Sequence, residues 1–172
     1  MSTVNTVNTT GHSIELDSDG QSGSYARRHL AFGWWCILGF ILLGLSLEGL
    51  HGLKMAWYLD PAFETRRLLF TLAHAHGVLL GMLNLGFAVT LVFLPASMER
   101  LRGTISPMLM GASVILPAGF LLGGVFIYEG DPGPGVALVP LGATLLVASV
   151  GLTAWSVTRP VSGGDSSSTP SE

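Results

Sequence analysis

Four long apolar segments recur along the chain, at residues 30–50, 68–94, 104–128 and 136–157. Each reaches or exceeds the roughly 20 residues that a helix needs to cross about 30 Å of hydrocarbon. A soluble bundle would show apolar stripes separated by charges, whereas Glu48 is the only formal charge within these segments. Barrel strands alternate in polarity over about ten residues, and these segments do not. The pattern predicts an all-α protein, an integral membrane four-helix bundle.

Composition agrees with this interpretation and separates the ends of the chain from its middle. Hydrophobic residues make up 49% of the 172 residues and charged residues only 11%, and the mean hydropathy is +0.56. Residues 1–28 and 159–172 are rich in small polar residues, which predicts two disordered tails around a transmembrane domain at residues 29–158. A net charge of −3 with dispersed basic residues argues against nucleic-acid binding. The expected partners are the lipid bilayer and a homo-oligomer or larger membrane complex.

Basic residues near the span ends favour one orientation, because Lys and Arg are enriched on the cytoplasmic side. If the N-terminus is inside, the cytoplasmic side carries five of them: Arg27, Arg28, Arg100, Arg102 and Arg159. The opposite side carries Lys54, Arg66 and Arg67. This asymmetry predicts a multi-pass protein of the inner (plasma) membrane with both termini in the cytoplasm.

The second segment contains two histidines one residue apart, in the stretch TLAHAHGVLLGMLNLG at residues 71–86. Successive helical residues turn by about 100°, so His74 and His76 point about 200° apart. A pair that binds one metal from one helix is spaced i and i+4 instead. The two imidazoles therefore face different surroundings.

The two faces of this helix differ in character. The face of His74 is small and polar, which suits close helix contact or a hydrated cavity; it carries Arg67, Thr71, Gly77, Gly81 and Asn84. The face of His76 is bulky and apolar, and it carries Leu69, Leu72, Leu79, Leu80, Leu83 and Phe87. That face suits lipid, a hydrophobic partner or a flat apolar cofactor. A histidine bare to lipid is the least favourable case, because its ring N–H would be unpaired.

The end of the first segment supplies further candidate ligands, since Glu48, His51 and Met55 recur at i, i+3 and i+7. Imidazole is the commonest metal ligand, and a carboxylate such as Glu48 could fix its orientation or carry protons. Heme iron takes axial histidine, and an apolar pocket suits the porphyrin. The sequence thus predicts cofactor binding by His76, His74 and His51, and metal binding by His51, His74, His76 and Glu48. Heme is the leading cofactor, with copper or zinc as the alternative.

The third and fourth segments look like packing partners for the first two. They carry three prolines and many glycines, among them Gly119 and Gly123, whose spacing lets helices approach closely. We expect these two glycines to serve packing within the chain. The aromatic residues near the span ends are expected to form interfacial belts; they are Trp34, Trp35, Trp57, Tyr58 and Trp155.

The stretch LFTLAHAHGVLLGMLNLGF, preceded by EGLHG at the end of the first segment, resembles small four-helix bacterial membrane proteins with an intramembrane His-x-His motif. It also distantly resembles the helix on which heme–copper oxidases ligate two hemes, which implies separate ligands for His74 and His76. The chain lacks the many helices and the copper-binding histidines of those oxidases. The leading expectation is a heme protein for electron transfer or diatomic-gas handling. The alternative is a cofactor-free accessory or transport protein, whose polar residues are structural or relay protons.

Overall fold

The computed structural model of the chain describes residues 9–60 and 64–159, with side chains from Gly20 onward. Its helices are α1 (Thr9–Gly52), α2 (Ala56–Leu59), α3 (Glu64–Phe93), α4 (Pro95–Met98), α5 (Arg102–Val125) and α6 (Leu138–Thr158). A short 3-10 turn, Pro134–Ala137, leads into α6. Within these described ranges there is one isolated β-bridge, Tyr128 with Asp131, and no longer strand. The predicted all-α class is confirmed.

Four of the helical segments are long and apolar enough to cross a membrane: Gly20–Gly52, Glu64–Phe93, Arg102–Val125 and Pro134–Thr158. They lie where the hydrophobic pattern places the four spans. The first begins about ten residues earlier than predicted, while the other boundaries agree within a few residues. The chain is therefore a multi-pass membrane protein by the length and composition of its helices.

The helices are not equally buried. In the most apolar window of each span, 39% of α3 and 44% of α5 is buried within the protein, against 6% of α1 and 11% of the α6 span. The helices α3 and α5 therefore form the centre, where α1 packs chiefly on α3 and α6 chiefly on α5. The outer surfaces of α1 and α6 are apolar and exposed, as expected of helices that contact lipid.

Close contact between α1 and α3 depends on glycines. A Cβ atom added to Gly77 would lie 2.2 Å from the ring of Phe40, and one added to Gly81 would lie 2.7 Å from the side chain of Ile37. One added to Gly33 would lie 2.8 Å from the Gly81 carbonyl oxygen. The small face of α3 that carries His74 therefore meets α1.

The start of α1 differs from the sequence prediction, which assigned residues 1–28 to a disordered tail. Residues 20–28 form helical turns, because Ala26 is buried against α3 and α5 and the buried Arg102 donates hydrogen bonds to Ser22 Oγ and Gln21 Oε1. These hydrogen-bond and packing partners come from α3 and α5, so they cannot be recognised from the sequence of residues 20–28 alone. Of the remaining parts of the two predicted tails, residues 9–19 belong to α1 and Arg159 follows α6, while residues 1–8 and 160–172 lie outside the described residues.

Candidate functional site

An open cavity of about 440 Å³ lies between α1 and α3, at the end of the bundle where α2 connects them. Its wall combines an apolar part with a carboxylate, two imidazoles, a phenol and a hydroxyl. The lining residues are Ile41, Gly44, Leu45, Leu47, Glu48, His51, Tyr58, Thr71 and His74. Three of the four predicted site residues thus line one cavity, and His76 is not among them.

His74 is held against α1. Its Nδ1 atom lies 2.6 Å from the carbonyl oxygen of Phe40, and since a carbonyl only accepts hydrogen bonds, Nδ1 carries the ring proton. The imidazole packs on Gly44, where an added Cβ atom would lie 2.4 Å from the ring carbon Cε1. In the neutral ring with this tautomer, Nε2 carries a lone pair, and the ring lines the cavity. This is the arrangement in which a protein histidine acts as a ligand.

His76 faces α5 instead. Its ring centre lies 5.0 Å from that of Phe120, and its Nδ1 atom donates to the carbonyl oxygen of Leu72, one turn earlier, at 2.8 Å. The two histidines thus contact different neighbouring helices, as their spacing on one helix predicts. The bond to Leu72 pairs the ring N–H within α3 itself. An imidazole can therefore lie on this apolar face without an unpaired donor.

Glu48 and His51 are both exposed and lie in the last turns of α1. They share the cavity wall with His74, but in the described part of the chain no three His, Cys, Asp or Glu side chains come close enough together to hold a metal ion. The predicted set of His51, His74, His76 and Glu48 is therefore divided between the cavity and the Phe120 side of α3. Met55 is also exposed, between α1 and α2.

Arg66 fastens the segment that forms the end of the cavity. Its Nε atom donates to the carbonyl oxygen of Gly124 at 3.2 Å, and Nη1 donates to that of Trp57 at 3.1 Å. The guanidinium also lies over the Trp57 ring, 5.1 Å from its centre. The neighbouring Tyr58 is buried in the cavity wall. Arg66 thereby ties α2 to the last turn of α5.

A second polar cluster centres on His29, near the middle of α1. The ring is fully buried, with Nδ1 2.7 Å from Asn84 Oδ1 and Nε2 2.8 Å from Ser106 Oγ. The amide nitrogen of Asn84 donates to the Leu80 carbonyl oxygen and to Ser113 Oγ, both at 2.8 Å. We call these four side chains, His29, Asn84, Ser106 and Ser113, the His29 network; it joins α1, α3 and α5.

The direction of every bond in the His29 network follows from its acceptors. Ser113 donates to the Leu109 carbonyl oxygen, so its own oxygen accepts from Asn84. With its nitrogen donating, Asn84 offers only its oxygen to His29, and Nδ1 must carry the ring proton. Nε2 then accepts the Ser106 hydroxyl proton. A neutral His29 therefore satisfies the whole network.

His29 was not predicted as a functional residue, because it lies just before the first apolar segment and resembles the end of a polar tail. The available signal was the scatter of single polar residues, Asn84, Ser106 and Ser113, inside otherwise apolar helices. Such residues need partners on neighbouring helices, because lipid offers none. In the described part of the chain, no buried side-chain nitrogen or oxygen lacks a hydrogen-bond partner.

No family model matches this chain, and searches of curated proteins and of solved structures also found no match.

Proposed function

We propose that this membrane protein binds heme in the cavity between α1 and α3, where His74 would hold the iron, for electron transfer or diatomic-gas handling. The observation that supports this most directly is the hydrogen bond from His74 Nδ1 to the Phe40 carbonyl oxygen, 2.6 Å long. It fixes the imidazole so that Nε2 keeps its lone pair beside an open cavity. Bound heme would supply an iron centre that exchanges electrons or binds a diatomic gas.

The residues present fit such a group in three respects. A porphyrin supplies four of the iron ligands itself, so one or two imidazoles suffice, and His74 presents one. Ile41, Leu45 and Leu47 give the cavity an apolar wall. Glu48 and His51 add polar groups at its edge, within about one turn of the end of α1 at Gly52, where ionisable groups can be hydrated. The same cavity could place His51 as a second ligand.

This proposal selects His74, whereas the sequence favoured His76 because of its leucine-rich face. In the structure Phe120 of α5 lies against the His76 ring, and the cavity lies beside His74. Much of the apolar surface around His76 is used for packing, since Leu69, Leu80 and Phe87 are all buried, whereas Leu79 is exposed.

Heme binding predicts a spectrum. Protein purified in mild detergent from heme-replete cells is expected to show a Soret band and close to one iron per chain. His74→Ala is expected to abolish both, since it removes the imidazole that would hold the iron. His76→Ala is the matched control, two residues away on the same helix, and is expected to keep the Soret band. Colourless wild-type protein would contradict the proposal. Loss of heme only in His76→Ala would place the heme site beside His76, on the side of α3 that faces Phe120.

A second candidate function is that of a cofactor-free accessory or transport protein. The specific observation in its favour is that His29, His74 and His76 all make hydrogen bonds that hold helices or rings in place. In that case all three histidines are structural, and a colourless wild type loses stability in each variant.

We also propose that the protein lies in the plasma membrane with both termini in the cytoplasm, as the distribution of basic residues suggests. The exception that weakens the asymmetry, Arg66, has a structural role: it is buried and donates to the Gly124 and Trp57 carbonyl oxygens. A residue retained for packing says little about orientation, and the same holds for the buried Arg102 on the other side. Without these two, Arg27, Arg28, Arg100 and Arg159 stand against Lys54 and Arg67, which favours the same topology.

Reporter fusions test this topology. A fluorescent-protein fusion after residue 98 is expected to be bright, and an alkaline phosphatase fusion after residue 132 is expected to be active, because the first folds in the cytoplasm and the second only outside it. The reverse pair of results would invert the orientation and move the His74 cavity to the cytoplasmic side of the membrane.

A further inference from the structure

A second cavity lies away from the His74 site, in the groove between α3 and α6, with a volume of about 310 Å³. Leu109 of α5 and the buried ring of Phe87 contribute to its wall. Gly86 on the α3 wall keeps it open, since a Cβ atom added there would meet no atom within 4 Å. We call this cavity the α3–α6 groove.

Three hydroxyl groups line the α3–α6 groove, and each of them already donates its proton to a backbone carbonyl oxygen of its own helix. Thr90 donates to the Gly86 carbonyl oxygen at 3.0 Å, Thr153 donates to that of Ser149 at 2.8 Å, and Ser149 donates to that of Leu146 at 2.9 Å. A hydroxyl has one proton and two lone pairs. The groove can therefore accept hydrogen bonds from a ligand, and its three hydroxyls have no proton left to donate.

The groove is also polarised along the membrane normal. Thr90 lies three residues before the end of α3 at Phe93, and Thr153 lies five residues before the end of α6 at Thr158. Leu83 and Leu109 lie further from the helix ends, towards the middle of the bundle. A ligand that matches this gradient has a hydrogen-bond-donating head near the membrane surface and an apolar tail.

We propose that the α3–α6 groove binds the head of a lipid-soluble hydroquinone, with its hydroxyl groups donating to Thr90 and Thr153. A hydroquinone has the donors that the groove requires, and its flat ring suits a groove with an aromatic side chain in its wall and glycine at its edge. The choice of a hydroquinone among amphiphilic alcohols rests on the proposed electron-transfer function. The groove itself is observed independently of heme.

The polarity of the groove gives a sharp test, because oxidation to the quinone removes both donors. Radiolabelled decylubiquinol and decylubiquinone are titrated onto the full chain in phosphatidylcholine nanodiscs, with empty nanodiscs subtracted. The reduced form is expected to bind about tenfold more tightly, as one or two extra hydrogen bonds allow. Dioctanoylglycerol, an amphiphilic alcohol without a ring, is expected to compete weakly.

Variants locate the binding. Thr90→Val and Thr153→Val preserve shape but remove the acceptor, so each is expected to weaken decylubiquinol binding about fivefold and leave decylubiquinone unchanged. Gly86→Leu fills the groove and is expected to abolish binding of both forms. Gly151→Leu, on α6 where an added Cβ also meets nothing within 4 Å, is the control and is expected to bind like the wild type.

Three results would overturn the proposal: equal affinity for the two redox forms, competition by dioctanoylglycerol as strong as that by decylubiquinol, or unchanged binding in Gly86→Leu. The first and third would indicate simple partition or an acyl-chain site, and the second a general alcohol site. The assay needs no heme, so its failure is distinguishable from a missing Soret band. If colourless protein binds hydroquinone, the α3–α6 groove remains the proposed binding site and the proposed heme site is refuted.

Discussion

Replacing His29 by alanine is expected to lower the free energy of unfolding by about 3 kcal/mol. Interhelical hydrogen bonds in membranes average only about 0.6 kcal/mol, so the two bonds of the ring contribute roughly 1 kcal/mol. The remainder comes from the void that a fully buried ring leaves between three helices and from the unpaired oxygen of Asn84. The measurement is loss of helical circular dichroism in detergent as sodium dodecyl sulfate is added.

His51→Ala is the matched control, since it deletes the same side chain from the exposed end of α1, where no buried partner is lost. We expect a change within about 0.5 kcal/mol. Equal losses in the two variants would show that the His29 network contributes nothing beyond helix propensity.

The His29 network also predicts coupling between its members. Asn84→Leu by itself leaves Nδ1 of His29 without its acceptor in a buried site, which costs more than the bond was worth. In His29→Leu with Asn84→Leu, both polar partners are gone and an apolar contact replaces them. The double variant is therefore expected to lose at least 1 kcal/mol less than the sum of the single variants, whereas additive losses would contradict a connected network.

The hydrophobic pattern was sufficient to predict four membrane helices, because length and lack of charge are properties of each segment by itself. The divergence of His74 and His76 was equally predictable, since it depends only on the helical repeat. The predicted packing role of Gly119 and Gly123 is confirmed. An added Cβ atom at Gly119 would lie 3.0 Å from Val139 at the start of α6, and one at Gly123 would lie 2.5 Å from Val136 in the 3-10 turn before it.

Partners across helices could not be predicted in the same way. His29 meets Asn84 and Ser106 across 55 and 77 residues of sequence, and nothing local indicates which polar residue faces which. The N-terminal extension of α1 was missed for the same reason, since Ser22 needs Arg102, 80 residues away, to become part of the fold. The cavity at His74 depends on the spacing between α1, α2 and α3. That spacing is set by tertiary packing and cannot be inferred from any one segment of the sequence.

Replacing Gly142 by leucine is expected to cost about 3 kcal/mol and to separate α6 from α5. A Cβ atom there would lie 2.7 Å from the backbone nitrogen of Leu116 and 2.8 Å from its Cα atom. Backbone in the middle of α5 cannot move aside as a side chain can, so α6 itself must shift. Gly142→Ala should already show much of the loss, measured by the same denaturation in detergent.

Gly151→Leu on the same helix separates this steric effect from helix propensity. Both substitutions gain the same intrinsic preference for helix, but nothing lies within 4 Å of a Cβ atom at Gly151. We expect this control to be as stable as the wild type or slightly more stable. If both glycine variants lost stability equally, close packing at Gly142 would not hold α6 in place.

The accessibility of Cys36, the single cysteine, reports whether α1 has moved in each variant. It is half-buried in a groove between α1 and α5, beside Phe40 and Leu121. Because His29→Ala loosens α1, a membrane-permeant maleimide should label Cys36 faster in that variant than in the wild type. In Gly142→Leu the contact of α1 with α3 is untouched, so the labelling rate should stay the same even though overall stability falls. Faster labelling in both variants would mean that the four helices separate as one cooperative unit, and that α6 helps to hold α1 through the central pair.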